Sequence, residues 1–133
     1  MQTKDLYQEY IFPASPLRVY ECYLDEDEHS NITGGTAKID AEEEGVFSAY
    51  DGYATGIIQE LEIGALIVQT WRAEEDGWPK DHFSQIKMVL LEHPDGCLLK
   101  FSQKGIPTAH FDSIAKGWVE FYWEPMEEHL QNR

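Results

Sequence analysis

The chain has 133 residues, 42% hydrophobic and 26% charged, which is long enough to bury a core without disulfides or metal and reads as one folded domain, 1–133, rather than a disordered segment. Ten Lys and Arg stand against twenty-five Asp and Glu, and the net charge of −15 repels phosphate backbones and anionic lipid, so nucleic acid and membrane surfaces are disfavoured as partners. The start, MQTKDLYQEYIF, carries no signal-peptide pattern, no apolar run approaches the roughly 18 residues of a membrane helix, and Cys22 and Cys97 form no CxxC pair, so a cytoplasmic protein with two reduced thiols is expected.

Segment 6–12, LYQEYIF, is rich in strand formers and stops at Pro13. Segment 15–25 opens with Ser15 as N-cap and Pro16 at the first helical position, and Val19, Tyr20, Tyr23 and Leu24 then recur at helical spacing. Segment 25–35 begins with four acidic residues, which suits a helix N-terminus, and stops at Gly34-Gly35. From Thr36 to Gln103 the pattern is that of a β-meander, with strands over 36–41, 45–50, 54–62, 65–73, 82–93 and 96–104. Turn chemistry separates them at Asp51-Gly52, Gly64, Asp76-Gly77 and Asp95-Gly96. Ile86, Met88 and Leu90 share one face of their strand, as Leu99, Phe101 and Gln103 do in the next.

A helix over about 108–131 closes the chain. At about 100° per residue, Phe111, Ile114, Ala115, Trp118, Phe121, Tyr122 and Met126 fall in one arc. Trp123 lies near the border of that arc, and Pro125 predicts a local bend because it removes one helical hydrogen bond. Six or seven antiparallel strands need a cover for their apolar face, and this helix supplies it. The fold class is therefore α+β: a curved antiparallel sheet wrapped around a long C-terminal helix, with two short helices after the first strand. The aromatic stretch 117–125, GWVEFYWEP, then faces the concave side of the sheet.

The five histidines form no HExxH, and there is no GxSxG, P-loop or strand-borne GxGxxG. Single surface or capping histidines are the expectation. Acidic runs such as 25–28 and 42–44 read as solvated faces, and 25–36 does not supply the ligand spacing of a calcium loop. No catalytic residue, metal site or cofactor is assigned. The aromatics of the last helix carry the remaining signal. They either fill the space under a bent sheet or line a cavity there.

Several short motifs occur in a specific order. They are Phe12-Pro13-Ala14-Ser15-Pro16, His29-Ser30 with Thr33-Gly34-Gly35, Phe47, Asp51-Gly52 before Gly56, and Ile67 to Arg72. Trp78-Pro79 and His82 follow, then Gly105-Ile106-Pro107, Gly117-Trp118 and Tyr122 to Pro125. In this order the chain resembles the START-like (helix-grip, SRPBCC) superfamily. More closely, it resembles the C-terminal domain of the activators of the heat-shock-protein-ninety ATPase and its stand-alone homologues. The resemblance implies an apolar ligand such as a lipid, sterol or polyketide between sheet and last helix, or binding to the chaperone dimer with stimulation of its ATPase. The activators carry a further N-terminal domain that supplies much of the chaperone contact, whereas this sequence is expected to start at the first strand of the C-terminal one.

The first expectation is a non-enzymatic binding protein holding a small apolar ligand against Trp71, Ile86, Met88, Leu99, Phe101, Trp118, Phe121 and Tyr122. The alternative is a co-chaperone-like module that binds the heat-shock-protein-ninety chaperone through its acidic surface. A cyclase- or hydrolase-type enzyme is the third reading, and no polar group in the pattern argues for it. The assembly expected is a monomer, or a weak homodimer paired through an exposed strand edge.

Overall fold

The computed structural model describes residues 1–131. Strand β1 (Thr3–Phe12) leads into helices α1 (Pro16–Leu24) and α2 (Glu26–Thr33). Six strands follow: β2 (Lys38–Ile39), β3 (Val46–Ala49), β4 (Ala54–Glu62), β5 (Leu66–Ala73), β6 (Ser84–His93) and β7 (Gly96–Pro107). A 3₁₀ turn (Thr108–His110) then starts the closing helix, which runs as α3 (Phe111–Trp118), a π-helical turn (Val119–Trp123) and α4 (Glu124–Gln131).

The two short helices form where their caps require. The Ser15 hydroxyl accepts from the Arg18 N–H at 3.1 Å, and Pro16 occupies the first turn. Asp25 ends α1 and caps α2 in turn, accepting from the Glu28 N–H at 2.9 Å. Three acidic residues in the first turn of α2 complement its dipole, and Gly34 stops it in the left-handed conformation at φ 83°.

The seven strands form one antiparallel sheet in the order β1-β7-β6-β5-β4-β3-β2. Register shifts in β1 between Lys4 and Leu6, and in β4 between Ile58 and Glu60, mark the irregularities that bend such a sheet. Inward-facing residues line up across strands. Leu6, Gln103, Ile86 and Gln69 make one row, and Gln8, Phe101, Met88 and Ile67 the next. Several predicted boundaries move: β1 starts at Thr3 rather than at residue 6, and β6 at Ser84 rather than at residue 82. The expected strand over 36–41 shrinks to Lys38–Ile39, with an acidic loop after it. Strand β7 runs three residues past 104, because Ile106 and Pro107 pair with Lys4 and Thr3 at the far end of the chain. Pro107, lacking an N–H, ends that strand.

The closing helix lies across the inward face, and the core fills the space between them. Ile86, Met88 and Leu99 are wholly buried there, with Phe101 and Trp118 almost so. Among the described residues no helix is long and apolar enough to cross a membrane.

Candidate functional site

One wall of the site is made by the π-turn. A regular α-helix would pair the N–H of residue 125 with the Phe121 carbonyl. Pro125 has no N–H, and its ring crowds that carbonyl. The turn just before it widens, so that the Glu124 N–H bonds the Val119 carbonyl, five residues back. The wider turn shifts the phase of everything after Trp118. Trp123 now stacks on Trp118, with ring centroids 5.3 Å apart and planes at 17°, and is 1% exposed. Phe121 swings outward and is 46% exposed. Both positions correct the α-helical wheel, which put Phe121 in the apolar arc and Trp123 at its border. Pro125 acts through the turn that precedes it.

The facing wall is the β3–β4 hairpin. Tyr50 and Asp51 both hold positive φ, 51° and 59°, ahead of Gly52 at 88°. Positive φ is uncommon for side chains other than Gly, Asn and Asp, and for a bulky residue it is strained. The Asp51 carboxylate pins the turn by accepting from the Thr36 N–H at 2.9 Å. The Tyr50 ring lies against Gly35, where an added Cβ would come within 2.6 Å of it. It contacts the Phe121 ring, with centroids 5.8 Å apart and planes tilted at 45°.

Between these walls lies a groove of about 250 Å³. Its sides and floor come from Thr33, Tyr50, Tyr53, Ala54, Trp71, Ser113, Ile114, Gly117, Trp118, Phe121 and Tyr122. Of the residues expected to line a cavity, Trp71, Trp118, Phe121 and Tyr122 meet here. Ile86, Met88, Leu99 and Phe101 do not reach it. They pack in the closed core beneath, because Trp118 and Trp123 cover Phe101 at 4.6 Å and 5.1 Å between ring centroids. Sequence reasoning missed Tyr50, Tyr53 and Gly117. The signal for the first two was the Asp51-Gly52 turn they flank, and the signal for the third was a glycine inside an otherwise regular helix.

Hydrogen bonds hold the aromatic floor in place. The Trp118 indole donates to Gln103 at 2.7 Å, and Gln103 donates to Ser84 at 2.8 Å. The Trp123 indole donates to Gln8 at 2.7 Å. Behind Tyr122 sits His29, which is 3% exposed and so departs from the surface or capping role expected of the histidines. Its Nδ1 lies 2.7 Å from the Tyr23 carbonyl, an acceptor only, so Nδ1 carries the proton. Burial lowers the His29 pKa, and the neutral ring leaves Nε2 to accept from the Tyr122 hydroxyl at 2.8 Å. Burial also raises the pKa of Tyr122 and of Tyr23, which donates to Gln69 at 2.8 Å. Tyr53 is raised by burial and by its hydrogen bond to Glu75, whose other oxygen meets His110 Nδ1 at 2.7 Å. The Tyr53 and Tyr122 hydroxyls at the groove are thus committed donors, which leaves their rings to line it.

Two other polar positions flank the sheet. Arg72 follows Trp71 on β5 and so points to the opposite face, where it pairs with Glu74 and donates to the Pro79 carbonyl at 3.3 Å. On the helical side, donor atoms of Cys22, Glu28 and His129 lie within 4.8 Å of one another. That is a candidate metal trio by residue type, yet Arg18 engages both Glu28 oxygens and His129 Nε2 lies 2.8 Å from one of them. The Arg18 hydrogen bond, with His129, holds the Glu28 carboxyl down at about 2. The cluster works as an ionic clamp joining α1, α2 and α4.

Over residues 13–131 the sequence matches the profile of a family described as Activator of Hsp90 ATPase homolog 1-like protein. The chain belongs to that family. It is 33% identical over 119 residues to the Activator of 90 kDa heat shock protein ATPase homolog of Dictyostelium discoideum, a match covering 87% of this chain and 30% of that protein. The mouse Activator of 90 kDa heat shock protein ATPase homolog 2 is 22% identical over 121 residues, covering 91% of this chain and 36% of that protein. The chain thus spans about a third of the length of the curated relatives it matches. The crystal structure of an HSP90 activator from Plasmodium falciparum superposes with a TM-score of 0.83 at 19% identity, covering 97% of this chain and 96% of that one. The likeness shows that the chain has the helix-grip fold.

Proposed function

We propose that this chain is a binding domain that docks on an Hsp90-type chaperone and acts on its ATPase cycle. The observation that carries this reading is the family match over nearly the whole folded chain, with relatives named as activators of the chaperone's ATPase. The net charge of −15 adds a field that steers such a domain toward a basic surface. The test is the ATPase rate of the same organism's Hsp90-type chaperone with this purified chain added, across a salt series. Stimulation that weakens as salt rises supports the reading. No stimulation and no binding at any salt removes it.

The groove favours a second reading. A space of about 250 Å³ walled by aromatics suits a small apolar molecule, with the site between hairpin and helix rather than under the sheet. Native mass spectrometry of the purified chain tests this. A bound small molecule released on denaturation supports it, and a chain of bare mass after gentle purification counts against it.

A further inference from the structure

Resting on the chaperone-binding reading, we propose that the groove is where the partner is gripped: a protein segment inserts one bulky apolar side chain into the space lined by Trp71, Gly117 and Trp118, alongside the contacting Tyr50–Phe121 pair, with a Lys or Arg beside it. Three departures from local stability converge on this one place. Gly117 sits inside the closing helix, where glycine destabilises relative to alanine. No steric need explains it, since an added Cβ would meet only Phe121 Cδ2, at 4.0 Å. What glycine does there is keep the groove open. Tyr50 holds a backbone conformation that bulky side chains avoid, and this places its ring at the rim. The π-turn exposes Phe121 while burying Trp123. Folded chains accept such local conflicts where a site needs them.

The occupant follows from size and charge. The cavity of about 250 Å³ is below the roughly 300–1,000 Å³ of pockets that enclose a drug-sized ligand. It suits a single aromatic or large aliphatic side chain, the usual anchor of a protein interface. Exposed aromatics at the rim, Tyr50 at 43% and Phe121 at 46%, would close over it. Tyr50 has the exposed Asp51 carboxylate next to it in the chain, which favours a cation beside the anchor, whereas Glu120, next to Phe121, already pairs with Lys116 at 3.6 Å.

The test compares Gly117→Ala and Gly117→Leu in the whole chain, titrated against the same organism's purified Hsp90-type chaperone by calorimetry. Melting temperature and native mass are recorded for each. Leucine is a good helix former, so it fills the groove without a helix penalty. The expected result is that affinity falls as the added side chain grows, less in Gly117→Ala than in Gly117→Leu, which loses about tenfold or more with an unchanged or higher melting temperature. Tyr50→Ser and Phe121→Ser should weaken binding in the same direction. Wild-type affinity in Gly117→Leu overturns the groove as the docking site and leaves chaperone binding standing. A wild-type chain that never binds the chaperone overturns both. A small molecule held by wild type and lost in Gly117→Leu, with chaperone affinity unchanged, assigns the groove to a ligand instead and also overturns the proposal.

Discussion

Truncating Phe121 and Trp123 separately tests the phase of the closing helix. An α-helical wheel makes Phe121 the core residue, whereas the π-turn makes it Trp123. Trp123 is 1% exposed, stacks on Trp118 and contacts Phe12 and Phe101 edge-on. A buried Trp→Ala change costs about 3–5 kcal/mol. The loss of its hydrogen bond to Gln8 adds about 1 kcal/mol, because that acceptor is left half-buried without its donor. Trp123→Ala should therefore lose about 4–6 kcal/mol, a large part of the stability of a domain this size. Phe121 is 46% exposed, so its truncation forfeits roughly half of the ~1.5–3 kcal/mol of a fully buried Phe, or about 1 kcal/mol. Urea unfolding followed by far-UV circular dichroism gives both values. For a chain of this length each kcal/mol is worth roughly 4 °C in Tm, so the two variants should differ by more than about 10 °C. If Phe121→Ala costs as much as Trp123→Ala, the helix is continuous in phase and the account of the groove wall is wrong.

Further predictions concern the groove and its supports. Tyr122→Phe leaves the buried His29 Nε2 without its donor and should cost about 1–3 kcal/mol in urea unfolding; a neutral result would mean the bond contributes nothing. His29 has its pKa lowered by burial, so the unfolded chain takes up a proton there at a higher pH than the folded chain does. Stability is then full above about pH 6.5 and falls on acidification toward the folded-state value. His29→Gln should remove that slope, and an unaltered profile in the variant would show that His29 is not its source. Glu28, held at about 2, contributes stability above its ordinary value of 4.5 that is lost as pH falls toward 2, a separate and lower window that Glu28→Gln should abolish in an acid titration. Gly117→Ala should raise stability by about 0.5–1 kcal/mol, since the added methyl meets only ordinary contact; a destabilised variant would point to a packing role for the glycine.

Much of the fold was legible in the sequence because its signals are local. Ser15 and Pro16 start α1, Asp25 and Gly34 bracket α2, and β4 spans 54–62 as its pattern predicts. Caps, turns and alternation depend on a few neighbouring residues, so they survive in one dimension. Strand β7 outruns its pattern because Ile106 and Pro107 find partners in Lys4 and Thr3, a pairing no local window contains.

The site was legible only in part, for the same reason. The tryptophans of β5 and the closing helix announced themselves by type and spacing. What the tertiary structure decided was which side chains are core and which are surface. Wheel arithmetic assumes one helical pitch, and one widened turn before Pro125 exchanges the fates of Phe121 and Trp123. His29 became a buried partner of Tyr122, a residue 93 positions away in the chain. The groove exists because α2, the β3–β4 hairpin, β5 and the closing helix meet at one place. Composition and periodicity determined that a sheet would wrap a helix. Where the wrapping leaves space depends on packing between segments far apart in sequence, and only the folded chain expresses it.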